Sequence, residues 1–553
     1  MWTPATHQGH ESEKIKWELV PYTRGRGLDL GCGPHKPFPH FIGIDSNKDR
    51  ELFNIEAHAR NLTGECDKLD LFGDESMDFV FSSHLLEHIE DYKAALKEWW
   101  RVIKNEGYLV LYLPHKDLYP NIGTPGSNED HKHDFLPADI VAAMKEIAPS
   151  FDLVRNEDRN EGDEYSFFQV YKKLPGKKKH NPAKQVYLES YKEPKPEKRC
   201  AVIRYGAYGD VLQTASVLPG LKEQGYHITW YCTPRGYEVI KYDPNIDAFV
   251  LQDNDQVPAN EIAEFVIHLK TQYHKVLNFC ESVEGVLLPD PYRAIFYWPK
   301  EARHAVCDHN YVELQHTLAG VPFPKDRRPK IRFYATPDEQ KWAAGLRAKV
   351  DGPVIVWALS GSAVHKIWPY VDTVMARIRL AVPNAVIVLT GSALEAPLTD
   401  AWRKDPNVWG KAGQWTIRQA LAFAQQADLV IGPETGVLNA VSMENMAKIL
   451  FLSHSSVKNL CRDWVNTIAF AAESVPCYPC HQLHTTGFAF CNRHPEGGAA
   501  CAVAITADHV WPAVKDVLGK MVAGRITDEF DGVTTDLVPS EPEEQANAAV
   551  QEG

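Results

Sequence analysis

Residues Gly27 to Pro34 read GLDLGCGP, and a second apolar stretch, Phe41 to Ile44, ends on Asp45. A short strand that runs into glycines leaves backbone N–H groups open to a ligand, and an acidic residue after the next strand suits a ribose diol. Further along, His84, Glu87 and His88 spell HxxEH, a spacing known from zinc hydrolases, and DHKHDF (Asp130 to Phe135) sets His131 and His133 beside two aspartates. A second glycine loop, RYGAYGD, ends on the carboxylate of Asp210; the segment SAVHKIWP supplies Lys366; and an ETG turn spans Glu434, Thr435 and Gly436. Late in the chain Cys477, Cys480, Cys491 and Cys501 form CxxC and two later cysteines, with His481, His484 and His494 nearby. That spacing can build a tetrahedral zinc site.

The elements around the first glycine loop keep one register: DESMDFVFSSHLLEHIED (Asp74 to Asp91), a helical AALKEWWRVIKNEG (Ala94 to Gly107), then a strand YLVLYLP (Tyr108 to Pro114). Together they resemble a class I methyltransferase, in which a seven-stranded sheet carries S-adenosylmethionine on the edges of its first four strands. The resemblance covers roughly the first third of the chain, a domain-sized piece. It implies that Gly31 and Gly33 lie under the methionine part, that Asp45 holds the ribose hydroxyls, that Asp67 approaches the adenine amino group and that Asp29 supports the loop from below. The family usually has a full helix after the glycine loop, whereas Pro34, Pro37 and Pro39 forbid a long one here. A very short first crossover is expected, with Arg24, His35 or Lys36 compensating for the weakened helix N-terminus. HxxEH follows the strand Asp78 to Phe81, where this family often has a Glu-His pair, and that context disfavours zinc hydrolysis. Ser82, Ser83 and His84 leave the fourth strand at the edge where a methyl acceptor binds; His84 is read as an acceptor-side base and Ser82 as lining of the cofactor pocket. DHKHDF reads as an exposed loop, with a metal as the alternative.

From Cys200 the pattern repeats: a buried strand to Ile203, the glycine loop, the helical VLQTASVLPGLKEQG with an apolar face, and the strand HITWYC from His227. A third unit begins at Pro353, with strands VIVWALSG and NAVIVLTG and the later ADLVIGPETGVLNAVSM. Two Rossmann-like halves in tandem form the architecture of nucleotide-sugar glycosyltransferases. From about Cys200 to Leu518 the chain resembles the ADP-heptose:lipopolysaccharide heptosyltransferase family, on the GD loop, PNID near Pro244, the KxWP turn, LTGxxxE, the helix before ADLVIG, the ETG turn and CYPC. The resemblance implies an inverting sugar transfer with Asp210 as general base. The nucleoside diphosphate leaving group needs cations and backbone amides, a role that suits Lys366, the N–H groups of a helix opened by Thr435 and Gly436, and hydrogen bonds from Ser360 and Ser362. Glu434 stands where the family usually has Asp, keeping the charge at longer reach, and Asn439 replaces a histidine, which removes a cation near the phosphates. The donor sugar need not be a heptose, and a lobe that binds without transferring is an open reading. The family often has cysteines in the late cluster, so a thiol loop clamp stands beside structural zinc at Cys477, Cys480, Cys491 and Cys501.

The fold class expected is therefore α/β with three Rossmann-like units, one class I methyltransferase sheet plus a two-lobed GT-B-type glycosyltransferase. With 553 residues, of which 44% are apolar, each unit can hold a core. The expected divisions are a methyltransferase domain over 1–171, a basic, proline-bearing linker over 172–199, an acceptor lobe over 200–345, a nucleotide-sugar lobe with the cysteine cluster over 346–525 and a disordered acidic tail over 526–553. No stretch approaches the roughly 20 apolar residues of a membrane span, the N-terminus lacks an apolar signal core, and 11 cysteines spread over a long chain suit reduced thiols; a cytoplasmic enzyme is expected. The net charge of −14 disfavours nucleic acid, despite the lysines from Lys172 to Lys179. The leading reading is a bifunctional transferase using S-adenosylmethionine and a nucleotide-diphosphate sugar on a glycan acceptor. The others are a methyltransferase with the lobes as a glycan- or nucleotide-binding module, and, last, a nucleic-acid modification enzyme.

Overall fold

The computed structural model describes residues 11–33, 36–45, 61–63, 65–148, 150–175, 198–254, 256–281, 298–361, 363–481, 483, 498–522 and 534–537. The chain divides into two compact units, Met1–Glu197 with Ala248–Gln272, and Lys198–Asp247 with Tyr273–Gly553.

In the first unit, strands β1 (Gly27–Leu30), β2 (Ile42–Asp45), β3 (Asn61–Thr63), β4 (Met77–Ser83), β5 (Ile103–Pro114), β6 (Phe151–Arg159) and β7 (Ser166–Lys173) form one sheet in the order β3-β2-β1-β4-β5-β7-β6. The β1–β2, β1–β4 and β4–β5 pairs are parallel, and β7 runs antiparallel to β5 and β6. β1 is buried along its whole length, as a central parallel strand covered on both faces must be. Among the described residues between β1 and β2 there is no helix, as the prolines require. The helix Tyr92–Val102 starts where Asp91 accepts the Ala94 N–H at 3.0 Å. It buries Ala95, Leu96, Trp99 and Val102, an i, i+3, i+4 stripe, and the Trp99 indole donates to the Cys66 carbonyl at 2.7 Å. The helix was expected to run to Gly107 but ends at Val102. Ile103 is already in β5 opposite Met77, and the ladder slips before Tyr108 meets Phe79, because two β-branched residues favour the strand. β7 also takes in Lys172 and Lys173, so the linker expected from 172 begins later; its remainder, 176–197, lies outside the described residues.

Strand β10 (Ala248–Leu251) falls in the segment counted with the first unit; in the second unit β8 (Arg199–Ile203), β9 (His227–Cys232) and β11 (Lys275–Asn278) lie in the order β9-β8-β11. A seven-stranded sheet follows, ordered β14-β13-β12-β15-β16-β17-β18, with every neighbouring pair parallel. Its strands are β12 (Val354–Ala358), β13 (Val386–Thr390), β14 (Val408–Gly410), β15 (Leu429–Pro433), β16 (Ala447–Phe451), β17 (Thr467–Ala471) and β18 (Thr534–Leu537). β18 corrects the expectation of a wholly disordered tail. β17 otherwise offers an unpaired edge, and two threonines are suited to completing it.

The core of the large sheet centres on Trp357, Trp368 and Phe451. The Trp368 ring stacks on Phe451 at 4.3 Å and on Trp357 at 6.1 Å, and its indole donates to the Ile505 carbonyl at 2.7 Å. The KxWP turn is thereby pinned by its tryptophan. Trp368→Ala is expected to cost about 3–5 kcal/mol, read as a lower urea midpoint for the full chain; a change within error would place the turn's anchor elsewhere.

Candidate functional site

The first glycine loop is shaped by three backbone facts. Gly31 and Gly33 have φ of 73° and 50°, a region that disfavours side chains. The Gly31 N–H donates to the Ile44 carbonyl at 2.8 Å, and the Gly33 N–H donates to Asp45 Oδ2 at 2.8 Å. A Cβ on Gly31 would come within 3.0 Å of Leu85, while one on Gly33 would meet nothing within 4 Å. The loop is therefore packed below at Gly31 and open at Gly33, a shape that fits a ligand lying across it. Asp67 follows Cys66, whose thiol donates to the Ile44 carbonyl at 3.4 Å. Asp45 and Asp67 thus reach the same sheet edge. Asp29 is buried, with Oδ2 lacking a hydrogen bond; burial pushes its carboxyl up to about 8, Lys36 opposing and Asp45 adding to the rise. It underlies the loop as a neutral acid. Ser362, Cys491 and His35 lie outside the described residues.

At the end of β4, Ser82 is buried without a hydrogen-bond partner for its hydroxyl, and His84 adopts φ 49°, a strained geometry for a non-glycine residue. His84 Nε2 lies 2.9 Å from the Ser166 hydroxyl and 3.8 Å from Glu11 Oε2. Its ring lies 5.3 Å from that of Tyr112 and 5.6 Å from that of Tyr165. Burial, with the charges of Lys14, His131 and His88, lowers His84 to about 3. Glu87, on the next turn, is fully buried and is raised to about 8 by that burial. The DHKHDF loop, expected to be exposed, instead buries His131 beside this pair. Sequence reasoning missed Glu11, Tyr165 and Ser166 here, whose segments lie far from HxxEH in the chain and carry no motif.

In the second unit two short helices, Tyr208–Thr214 and Gly436–Val441, meet at their glycines. A Cβ on Gly209 would lie 2.6 Å from Asn439 Nδ2, and one on Gly436 would lie 2.6 Å from Tyr208 Cβ. Asn439 is buried; its amide nitrogen donates to the Thr435 carbonyl at 2.8 Å and its oxygen accepts from Gln213 at 2.7 Å. Asp210 Oδ2 accepts the Ala207 N–H at 2.8 Å, and Oδ1 lies 3.7 Å from Arg204. Tyr311 lies within electrostatic reach of both loops: burial raises its phenol well above the ordinary value, and the charges of Asp210, Cys307 and Glu434 raise it further.

Glu434 is held from several sides. It accepts the Ser453 and Ser455 N–H groups at 2.8 and 3.2 Å and the Ser455 hydroxyl at 3.3 Å, with His454 Nδ1 at 3.0 Å. Burial alone would raise its pKa, but His454, Lys366 and the Ser453 amide hold it well below the usual carboxylate range. Lys366 is not a solvated lysine: Nζ donates to the Glu434 carbonyl at 3.0 Å and lies 3.7 Å from its carboxylate. Thr435 caps the helix by accepting the Leu438 N–H at 3.4 Å. Ser360 donates to Glu395 at 2.6 Å. Ser453, His454 and Ser455 were missed in sequence as partners of Glu434; the polar run SHSS after β16 was their signal. Among the described residues the late cysteines do not converge as a set of three metal ligands, so Cys477, Cys480 and Cys501 give zinc no support.

Two predictions follow from these packing facts. Asp29 binds its proton in the folded chain up to about pH 8, against about 3.9 when unfolded, so stability falls as pH rises through that window. Asp29→Asn is expected to match the parent near pH 4 (about the unfolded pKa) and to melt above it at alkaline pH; a gap that does not widen with pH would refute the buried neutral acid. Gly436→Ala is expected to destabilise by about 1–3 kcal/mol through overpacking against Tyr208, measured by urea denaturation, whereas an unaltered midpoint would mean that the helices separate freely.

Residues 28–111 match the family described as "Methyltransferase domain". A curated relative, "Uncharacterized protein MJ1123" of Methanocaldococcus jannaschii, is 27% identical over 127 residues, which is 22% of this chain and 60% of that protein. The chain thus spans 60% of the length of the curated relative it matches. Among solved structures, a glycosyl transferase family 9 protein from Veillonella parvula is similar at 15% identity and a TM-score of 0.42, covering 59% of this chain and 98% of that one. The E. coli ADP-heptose LPS heptosyltransferase II is similar at 14% identity and 0.42, covering 58% and 99%. A SAM-dependent methyltransferase from Aquifex aeolicus is similar at 16% identity and 0.25, covering 32% and 100%. Among the described residues no helix is long and apolar enough to cross a membrane.

Proposed function

We propose that this chain is a bifunctional transferase, which moves a methyl group from S-adenosylmethionine and a sugar from a nucleotide-diphosphate donor onto a glycan acceptor. The methyl-transfer half rests on the bond from the Gly33 amide to Asp45, which closes the glycine loop onto the end of the second strand within the family-matched residues. Gly31 and Gly33 would carry the methionine part, Asp45 the ribose and Asp67 the adenine. When bound, S-adenosylmethionine supplies a methyl group activated on a sulfonium. Ser82 and His84 end the strand beside that edge, and the aromatic wall of Tyr112 and Tyr165 would exclude water from the acceptor.

The sugar-transfer half is supported by the convergence of Asp210, Tyr311 and Glu434 where the two glycine-bearing helices meet. Asp210, 3.7 Å from Arg204, would accept the proton of an incoming hydroxyl, and Lys366, Ser360, Thr435 and Gly436 would face the diphosphate. One observation favours a second reading, in which these lobes bind a nucleotide or glycan without transferring it. Lys366 is already engaged by Glu434, and Tyr208 packs over Gly436, so both groups meant for a diphosphate have protein partners.

Calorimetry of the full chain against S-adenosylmethionine, S-adenosylhomocysteine and a panel of nucleoside diphosphates and nucleotide sugars separates the readings. Both classes are expected to bind independently; S-adenosyl ligands alone would reduce the lobes to a binding module for some other group. Asp45→Ala is expected to abolish S-adenosyl binding and leave nucleotide binding and sugar transfer intact, while Asp210→Asn does the reverse for sugar transfer. Loss of both activities from either substitution would contradict two separate sites.

A further inference from the structure

Beside the cofactor edge of the first unit, Glu87, His88 and His131 each bring a ligand-type atom to within 4.8 Å of the others. Glu87 is fully buried, and neither of its carboxylate oxygens has a hydrogen-bond partner. A carboxylate in that position needs compensation that the hydrogen bonds around it do not provide. The His88 and His131 Nε2 atoms each lie 3.9 Å from Glu87 Oε1, beyond hydrogen-bonding distance yet close enough to share one occupant.

The arrangement is built from two segments fastened together. The Glu87 carbonyl accepts the Lys132 and His133 N–H groups at 2.7 and 3.2 Å, which draws the DHKHDF loop onto HxxEH. The His88 and His131 rings meet edge to face at 4.7 Å, and Tyr119 backs His131 at 5.3 Å. The rings are thus held before any ion arrives.

We propose that Glu87, His88 and His131 form a binding site for a divalent first-row transition metal ion. Two imidazoles and one carboxylate suit manganese, iron, cobalt or zinc, whereas magnesium and calcium favour oxygen donors alone. Metal–ligand bonds of about 2.0–2.2 Å set ligand atoms roughly 3–3.5 Å apart, so a closure of roughly half an ångström to somewhat over one ångström completes the shell. Three protein ligands leave positions for oxygen donors of an acceptor. This last role rests on the methyl-transfer reading: the ion lowers the pKa of an acceptor hydroxyl, whose proton passes to bulk water. The oxygen's electron pair then forms the C–O bond while the sulfonium S–C bond breaks, its electrons remaining on sulfur.

The test uses the full chain, stripped with a chelator and titrated with Co2+ under equilibrium dialysis and visible spectroscopy. One site with d–d bands, without thiolate charge-transfer bands and competed by Zn2+, is expected. Glu87→Gln, His88→Ala and His131→Ala should each weaken Co2+ binding at least roughly tenfold, while Cys480→Ser and Asp45→Ala leave it unchanged. Circular dichroism monitors folding, and the partly exposed His88 is the deciding variant if the buried ones unfold. No Co2+ binding, thiolate bands, or undiminished binding in His88→Ala would overturn the site. Methyl transfer unaffected by metal removal would overturn only the acceptor role, and absent methyl transfer with Co2+ still bound would sink the functional reading while leaving the site.

Discussion

Parallel strands need crossovers, and crossovers deliver the carboxyl ends of the strands to one edge, where the following loops have backbone groups to spare. Both units depend on this. In the first, β1 and β2 end side by side, so that the Gly33 amide finds the Asp45 carboxylate at 2.8 Å, with no helix among the described residues between them. In the second, β12 and β15 are neighbours, and the loops after them bring Lys366 to Glu434. Chemistry-bearing residues far apart in sequence are gathered by strand order alone.

Three buried carboxylates show how the surroundings then decide charge. Glu434 meets two amides, a hydroxyl, an imidazole and an ammonium, and stays ionised despite burial. Asp29 and Glu87 are equally buried but lack such donors, and both are raised to about 8. A buried carboxylate is thus an ionised anchor for neighbouring loops in one place and a neutral acid in another. Lys366 belongs to the first case: its ammonium completes the shell of Glu434, which ties the KxWP turn to the ETG turn.

The parts legible in sequence were those carried by contiguous residues. GLDLGCGP with Asp45 announced its loop because strand, glycines and acid lie within one crossover, and the prolines forecast the missing helix. The Trp368 turn was legible for the same reason. Less legible were features made by distant partners. The helix from Tyr92 stops at Val102 because Ile103 finds Met77, a pairing invisible in the local pattern. His131 read as a loop residue because its burial depends on the Glu87 carbonyl capturing the following amides. The strand Thr534–Leu537 forms because β17 offers an edge, which the acidic composition around it concealed.

Asn439 illustrates how a departure from a family pattern acquires meaning only in three dimensions. As a sequence change it reads as the loss of a cation near phosphates. In the fold its amide spans Thr435 and Gln213 and occupies the space left by the missing side chain of Gly209. An imidazole at this position would have to displace Gln213 or part the helices. Asn439 is therefore matched to Gly209 and Gln213, and together they fix how closely the Asp210 loop approaches the ETG turn. The spacing between the Asp210 loop and the ETG turn is set by packing at this crossing, through one uncharged side chain.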